Sequence, residues 1–170
     1  MIPRLPQGTD RQSLELALHV TRAAALSPLK AFTAPETVAA FRAAKRLLDA
    51  GAGGDSQRFF VLVGLYMTPY MAGRLEPALE LAREFVEAAE RQDETYYRLV
   101  GYRMLAVMQI PMGRNREALE NLQRAMQFHD PSRQKPIGFR FSIDPGVSTL
   151  CSKIWVLSTL GARPDSVWTG

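Results

Sequence analysis

Apolar residues return along this chain with the rhythm of an amphipathic helix, and twice they do so in nearly the same words. Counting from Ala78, they fall at offsets 0, 1, 4, 7, 8 and 11, at Ala78, Leu79, Ala82, Phe85, Val86 and Ala89. Counting from Ala118, the same offsets hold Ala118, Leu119, Leu122, Ala125, Met126 and His129. Positions three and four apart share one face of a helix, so each set is a stripe that needs covering. Polar residues fill the gaps, with Glu80, Arg83, Glu84 and Glu87 in one copy and Glu120, Asn121, Arg124 and Gln127 in the other. They predict a solvated face, with Glu120–Arg124 and Glu87–Arg91 spaced to pair across one turn. Each stripe begins five residues after a Gly-Arg step, Gly73-Arg74 and Gly113-Arg114, forty residues apart.

A second helical segment precedes each stripe. One runs from Asp55 to Gly73, another from Asp93 to Gly113, and a third from Asp144 to Gly161. Aspartate at the start suits an N-cap, and glycine at the end suits the left-handed residue that closes a helix. Pro145 follows its aspartate in the first turn, where proline is tolerated. After Gly161, Ser166-Val167 stand where Ala78-Leu79 and Ala118-Leu119 stood, so a further helix is expected to begin there. A more worn unit lies upstream. Thr37, Val38, Phe41, Ala44 and Leu48 form its stripe, Lys45 interrupts it, and its partner helix is expected from about Ser13 with Asp10 as a possible cap. The sequence thus reads as all-α, about seven helices in antiparallel pairs at 13–50, 55–91, 93–129 and 144–170, the last pair truncated. Pairs that cannot cover their own apolar faces stack in a row. We take 1–170 as one helical-repeat domain, a fragment of a larger protein. Pro69 and Pro111 predict a kink or an early helix end, since proline removes a backbone donor.

Composition adds limits. Of 170 residues, 46% are apolar and 22% charged, the balance of a globular chain. No apolar run approaches the roughly 18 residues of a membrane span. The opening "MIPRLPQGTDRQ" has no apolar stretch of the kind a secretory signal needs, and a single cysteine suits a reducing cytoplasm. The net charge of +4 is divided around an acidic middle. Only Arg133, Lys135 and Arg140 cluster in sequence, so nucleic-acid binding is not expected.

Known catalytic patterns are missing. "GAGGDS", Gly51 to Ser56, lacks the lysine and the spacing of a phosphate-binding loop and reads as an interhelix connection. His19 and His129 stand alone, His19 on an apolar helix face as a core or boundary residue. Cys151 has no ligand-spaced partner and reads as a small packed side chain. Met67, Met71, Met104, Met108 and Met112 recur at helical spacing, as fillers between pairs or as an adaptable surface. No catalytic, cofactor or metal residue is assigned, and the chain is not expected to be an enzyme.

With Gly at the end of the first helix and Ala78, Ala118 and Ala125 in the second, the pairs resemble tetratricopeptide repeats, which implies a right-handed superhelix. The units diverge from that pattern: their interval is nearer 40 than about 34 residues. Leu62 or Tyr102 takes the tryptophan position, and Tyr66 or Ala106 the small one. A narrower resemblance rests on Phe128–Pro131, Phe139–Phe141, Asp144-Pro145-Gly146-Val147 and Leu160–Asp165, with "LELALHV" and "FTAPETV" upstream. These are similar to the helical-repeat region of large bacterial signalling ATPases. There, repeats follow a STAND-type or AAA-like module, often with a class III cyclase or winged-helix domain. Ser148, Thr149 and Lys153 depart from it. The tetratricopeptide pattern places Tyr70, Arg103 and Trp155 near a concave groove, where an arginine beside aromatics could anchor a carboxylate or peptide. Tyr70 and Trp155 read equally well as packing between pairs. The expected partners are a protein or peptide and the parent protein's own ATPase and output domains. The alternatives are a small-molecule sensor and a self-associating scaffold that forms a homodimer.

Overall fold

The computed structural model describes residues 9–92, 94–130 and 144–161. It holds seven helices: α1 (Thr9–Lys30), α2 (Pro35–Asp49), α3 (Asp55–Met71), α4 (Leu75–Glu90), α5 (Thr95–Gln109), α6 (Asn115–Gln127) and α7 (Pro145–Thr159). There is no strand among the described residues. The all-helical reading therefore holds. The chain divides into two compact units, Met1–Arg74 and Leu75–Gly170.

In the first unit α2 packs on both α1 and α3. Its buried face is Thr37, Ala40, Phe41, Ala44 and Leu48, the worn stripe with Val38 moved to the boundary. Lys45, the interruption, turns outward to Asp49 at 2.9 Å. Phe41 is the centre. It stacks on Phe32 at 6.2 Å and meets Phe60 at 5.6 Å. Its ring also lies against the backbone of α3, so that a Cβ on Gly64 would sit 2.1 Å from two ring carbons. Glycine is required there by contact alone.

Helix α1 differs from expectation at both ends. It starts at Thr9 and not near Ser13, which puts Asp10 inside the helix and not at its cap. It also runs through Pro28 to Lys30. A proline so near the C-terminus removes a single internal hydrogen bond, and the Ser27 hydroxyl donates nearby to the Ala23 carbonyl at 2.7 Å. Ala31 then takes the left-handed conformation, φ 75°, where glycine is the usual occupant. Leu16 and Ala23 are buried, whereas Leu14, Leu18 and Leu29 face outward.

The Gly-Arg phrase has a definite structural meaning. Gly73 (φ 67°) and Gly113 (φ 73°) each leave their helix in the left-handed conformation. The next arginine's N–H then reaches five residues back, Arg74 to the Pro69 carbonyl at 2.9 Å and Arg114 to the Gln109 carbonyl at 3.0 Å. The glycine N–H groups bond Tyr70 and Ile110 three residues back, which completes a Schellman closure in both copies. Gly161 closes α7 with φ 77°. The expected helix start at Ser166-Val167 lies outside the described residues.

Caps and prolines were only partly foreseen. Asp144 accepts the Val147 N–H at 2.9 Å, as an N-cap should. Asp55 does not cap α3, because Gly54 holds that place and its N–H bonds Gln57 Oε1 at 3.2 Å. The Asp55 carboxylate instead sits in the first turn, where the helix dipole favours negative charge. Asp93 is outside the described residues. Pro69 stays within α3, two residues before its end, while Pro111 falls beyond the end of α5.

In the second unit α5 packs on α4, α6 and α7, and α6 also meets α7. Helix α4 buries Ala78, Leu79, Ala82, Phe85, Ala88 and Ala89, and α6 buries Ala118, Leu122 and Ala125. Val86 and Met126, both at offset 8, lie at the boundary, as does His129. Ala106, Ala118, Leu122 and Val156 join α5, α6 and α7 in one cluster, edged by Ile110 and Leu119. Alanine in both stripes lets the helix axes approach closely. The buried Gln109 accepts from Asn121 Nδ2 at 2.8 Å and donates to Glu117 at 3.3 Å, fixing the register of α5 on α6. None of the described helices is long and apolar enough to cross a membrane.

Two substitutions test this packing by chemical denaturation. Gly64→Ala should destabilise the protein by about 1–3 kcal/mol, because the Phe41 ring has nowhere to retreat. Thr37→Val should stabilise it by about 1 kcal/mol, since the fully buried Thr37 hydroxyl has no hydrogen-bond partner among the described residues.

Candidate functional site

The three residues assigned to a groove are distributed over both units. Tyr70 closes α3 in the first unit, 39% exposed, with its ring stacked on Tyr66 at 5.5 Å. Arg103 and Trp155 belong to the second, on α5 and α7, two helices that pack on each other. Arg103 is half-buried, and its charge is felt by the nearby Tyr96. Trp155 is 65% exposed.

Trp155 is not alone. Helix α7 buries a narrow face, Pro145, Gly146, Thr149 and Val156, and presents Val147, Leu150, Ile154 and Trp155 to solvent. Val147, Leu150 and Ile154 recur at three- and four-residue steps, Trp155 adjoins Ile154, and together they form a second apolar stripe along one helix face. Cys151 lies in the same row and is exposed, which corrects its reading as a packed side chain. The narrowness of the contact explains it: of α7 only Pro145, Gly146, Thr149 and Val156 are buried. The methionines split similarly, with Met104 and Met108 in the core and Met71 exposed.

A polar column, unforeseen from sequence, joins α4, α5 and α6. The Arg98 guanidinium lies 5.6 Å over the Phe128 ring, Phe128 stacks on Tyr102 at 6.0 Å, and Arg124 lies 5.8 Å over Tyr102. Arg98 also donates to the Gln92 carbonyl at 2.6 Å and the Ala89 carbonyl at 3.4 Å, holding the loop after α4. The Tyr102 hydroxyl donates to Glu90 at 2.8 Å. Arg124 therefore spends its charge on a ring and not on Glu120 as its spacing suggested. The Glu87–Arg91 pair is likewise not formed, because α4 ends at Glu90 and Arg91 leaves the helical register. Between the ring and the cation, residues a turn apart on α5 and α6 become one rigid stack.

Below this column, Tyr96, His129, Asp130 and Asp144 line a cavity of about 30 Å³. The His129 ring covers Gly146, whose missing side chain would fall 2.3 Å from Cε1. The cavity has room for about one water molecule. It is a packed joint between α7 and the end of α6, not a substrate pocket. Among the described residues no group of three or more His, Cys, Asp and Glu is placed to hold a metal.

One feature of the first unit also escaped the sequence reading. Arg42 and Arg46 of α2 and Arg74 after α3 line a single groove of about 440 Å³, together with Thr33, Pro35, Val38, Ala39 and Thr68. The helical spacing of Arg42 and Arg46 was visible, but Arg74 comes from a different helix end.

Burial raises the Tyr102 phenol above its ordinary 10.0, and the bond to Glu90 adds to this, while Arg124 opposes it. A raised phenol keeps its proton longer in the folded state, so the folding stability it contributes is intact below pH 10.0 and falls as pH rises beyond it. Thermal melts at stepped pH should therefore show wild type losing stability more steeply above pH 10.0 than Tyr102→Phe. Parallel curves would mean the phenol is not held in this way. Compared with known families, curated proteins and solved structures, the chain has no match to a family model, to a curated protein or to a solved structure.

Proposed function

We propose that this chain is a non-catalytic helical-repeat module that recognises a partner protein, and that the partner's amphipathic helix lies along α7. The observation that carries this reading is the outward stripe of α7: Val147 is 54% exposed, Leu150 40%, Ile154 38% and Trp155 65%. Within the second unit, α4 is covered by α5, and α6 by α5 and α7. A stripe of the same spacing on α7 continues that series and fits an occupant of the same chemistry, a helix with apolar residues three and four apart. Tryptophan is among the residues that concentrate binding energy at such contacts. Trp155 is thus the anchor; Tyr70 and Arg103 belong to α3 and α5 and are not members of this stripe.

The setting we propose for this recognition is the one implied by the resemblance to signalling ATPases. In it, a repeat region passes the presence of its partner to an attached ATPase and output domain. The support is sequence alone, the run Asp144-Pro145-Gly146-Val147 through Leu160–Asp165 above all.

Fluorescence polarisation with a library of labelled helical peptides tests the binding claim. Peptides with apolar residues three and four apart should bind saturably, and Trp155→Ala should weaken them by about 2 kcal/mol or more. If none binds, or if Trp155→Ala leaves the affinity unchanged, α7 is not the recognition surface. Concentration-dependent dimerisation that Trp155→Ala abolishes would instead make the face a self-association surface and would overturn the partner-protein reading.

A further inference from the structure

The whole positive excess of the chain lies in the first unit. Residues 1–74 carry nine Lys and Arg against five Asp and Glu, and residues 75–170 carry twelve of each. Most of the first unit's carboxylates are already engaged. Glu15 pairs with Arg11 at 3.0 Å, and Glu36 with Lys30 at 2.8 Å. Asp49, one turn from Arg46, is held by Lys45 at 2.9 Å and Arg58 at 3.5 Å. Among the described residues Arg22, Arg42, Arg46 and Arg74 have no ion pair, and the last three of these line one groove. Arg42 and Arg46 stand one helical turn apart, where like charges repel.

We propose that this groove binds a small phosphorylated molecule by its phosphate. A phosphate monoester carries about two negative charges and three acceptor oxygens, and guanidinium forks match such oxygens two at a time. One carboxylate would occupy one of these arginines; a phosphate can engage two or three. The Thr33 hydroxyl supplies a further donor at the rim. The Thr68 hydroxyl donates to the Phe32 carbonyl at 3.0 Å, so it faces the groove as an acceptor for a hydroxyl or amine of the ligand. Pro35, Val38 and Ala39 form an apolar wall for the rest of the molecule. A space of about 440 Å³ suits a ligand of modest size. Charge, room and unpaired donors coincide at one place, and binding a dianion there relieves the repulsion along α2. This site shares no residue with the α7 stripe, so either reading can fail without the other.

Isothermal titration with phenyl phosphate tests it, with benzoate and inorganic phosphate as comparisons at matched ionic strength. Phenyl phosphate should bind saturably and more tightly than either comparison. The double variant Arg42→Gln, Arg46→Gln should weaken it about tenfold or more while keeping its fold by circular dichroism. Arg83→Gln, which alters an exposed arginine paired with Glu80 in the other unit, should bind as wild type does. The proposal is overturned by absence of saturable binding, by equal affinity in the double variant, or by an equal loss in Arg83→Gln. It is also overturned if a phosphoserine peptide binds more tightly than phenyl phosphate, for the ligand would then be a modified protein.

Discussion

A helix with one apolar stripe cannot hide that stripe from water by itself, and every feature of this chain follows from how its helices cover one another. The covering is local. Within the first unit α2 lies between α1 and α3, and within the second α5 lies against α4, α6 and α7. Alanines at Ala40, Ala44, Ala78 and Ala118 keep the contacts close, and a phenylalanine from the stripe, Phe41 or Phe85, fills the space behind them. The Gly-Arg turns end their helices at low cost, because a left-handed glycine lets the following amide satisfy a carbonyl that the helix end would otherwise leave bare. Helices α1 and α7 also carry outward apolar residues, Leu14, Leu18 and Leu29 in one case and Leu150, Ile154 and Trp155 in the other.

Arginine is used in two different ways. In the second unit three are committed: Arg98 and Arg124 cap a stack of Phe128 and Tyr102, and Arg114 approaches Glu76 at 3.8 Å. A delocalised cation with a planar face can stabilise an aromatic contact and a helix end together, which an ammonium could not do as well. In the first unit Arg42, Arg46 and Arg74 are gathered on one side with their charge uncompensated, an arrangement that does nothing for the helix bearing it. Uncompensated charge in a groove favours an anion; exposed apolar rows favour another helix. The two surfaces therefore call for ligands of different chemistry, and each is built on helices of its own unit.

The sequence shows the fold more readily than the sites, for a physical reason. Periodicity reports which face of a helix is apolar, so the stripes at Ala78 and Ala118 were legible, and so were Gly73, Gly113 and the Asp144 cap. It does not report what lies opposite. Hence Glu120 looked like the natural partner of Arg124, although the ring of Tyr102 across the helix interface is nearer to hand. Cys151 was read as packed because it has no ligand-spaced partner, yet it is exposed on α7. Cap positions shift by one residue when a glycine precedes the aspartate, as at Gly54. The groove needed Arg74 to be brought beside α2 by the return of α3, a relation that spacing along one helix cannot express.

Neighbour-by-neighbour covering is tested most directly by native-state hydrogen exchange resolved to single helices. If each helix is stabilised by the faces laid against it, α5 should be the most protected helix of the second unit and α7 clearly less so, opening locally before the unit unfolds. One common exchange free energy for α4 to α7 would contradict this, and would mean that the helices share a single cooperative core.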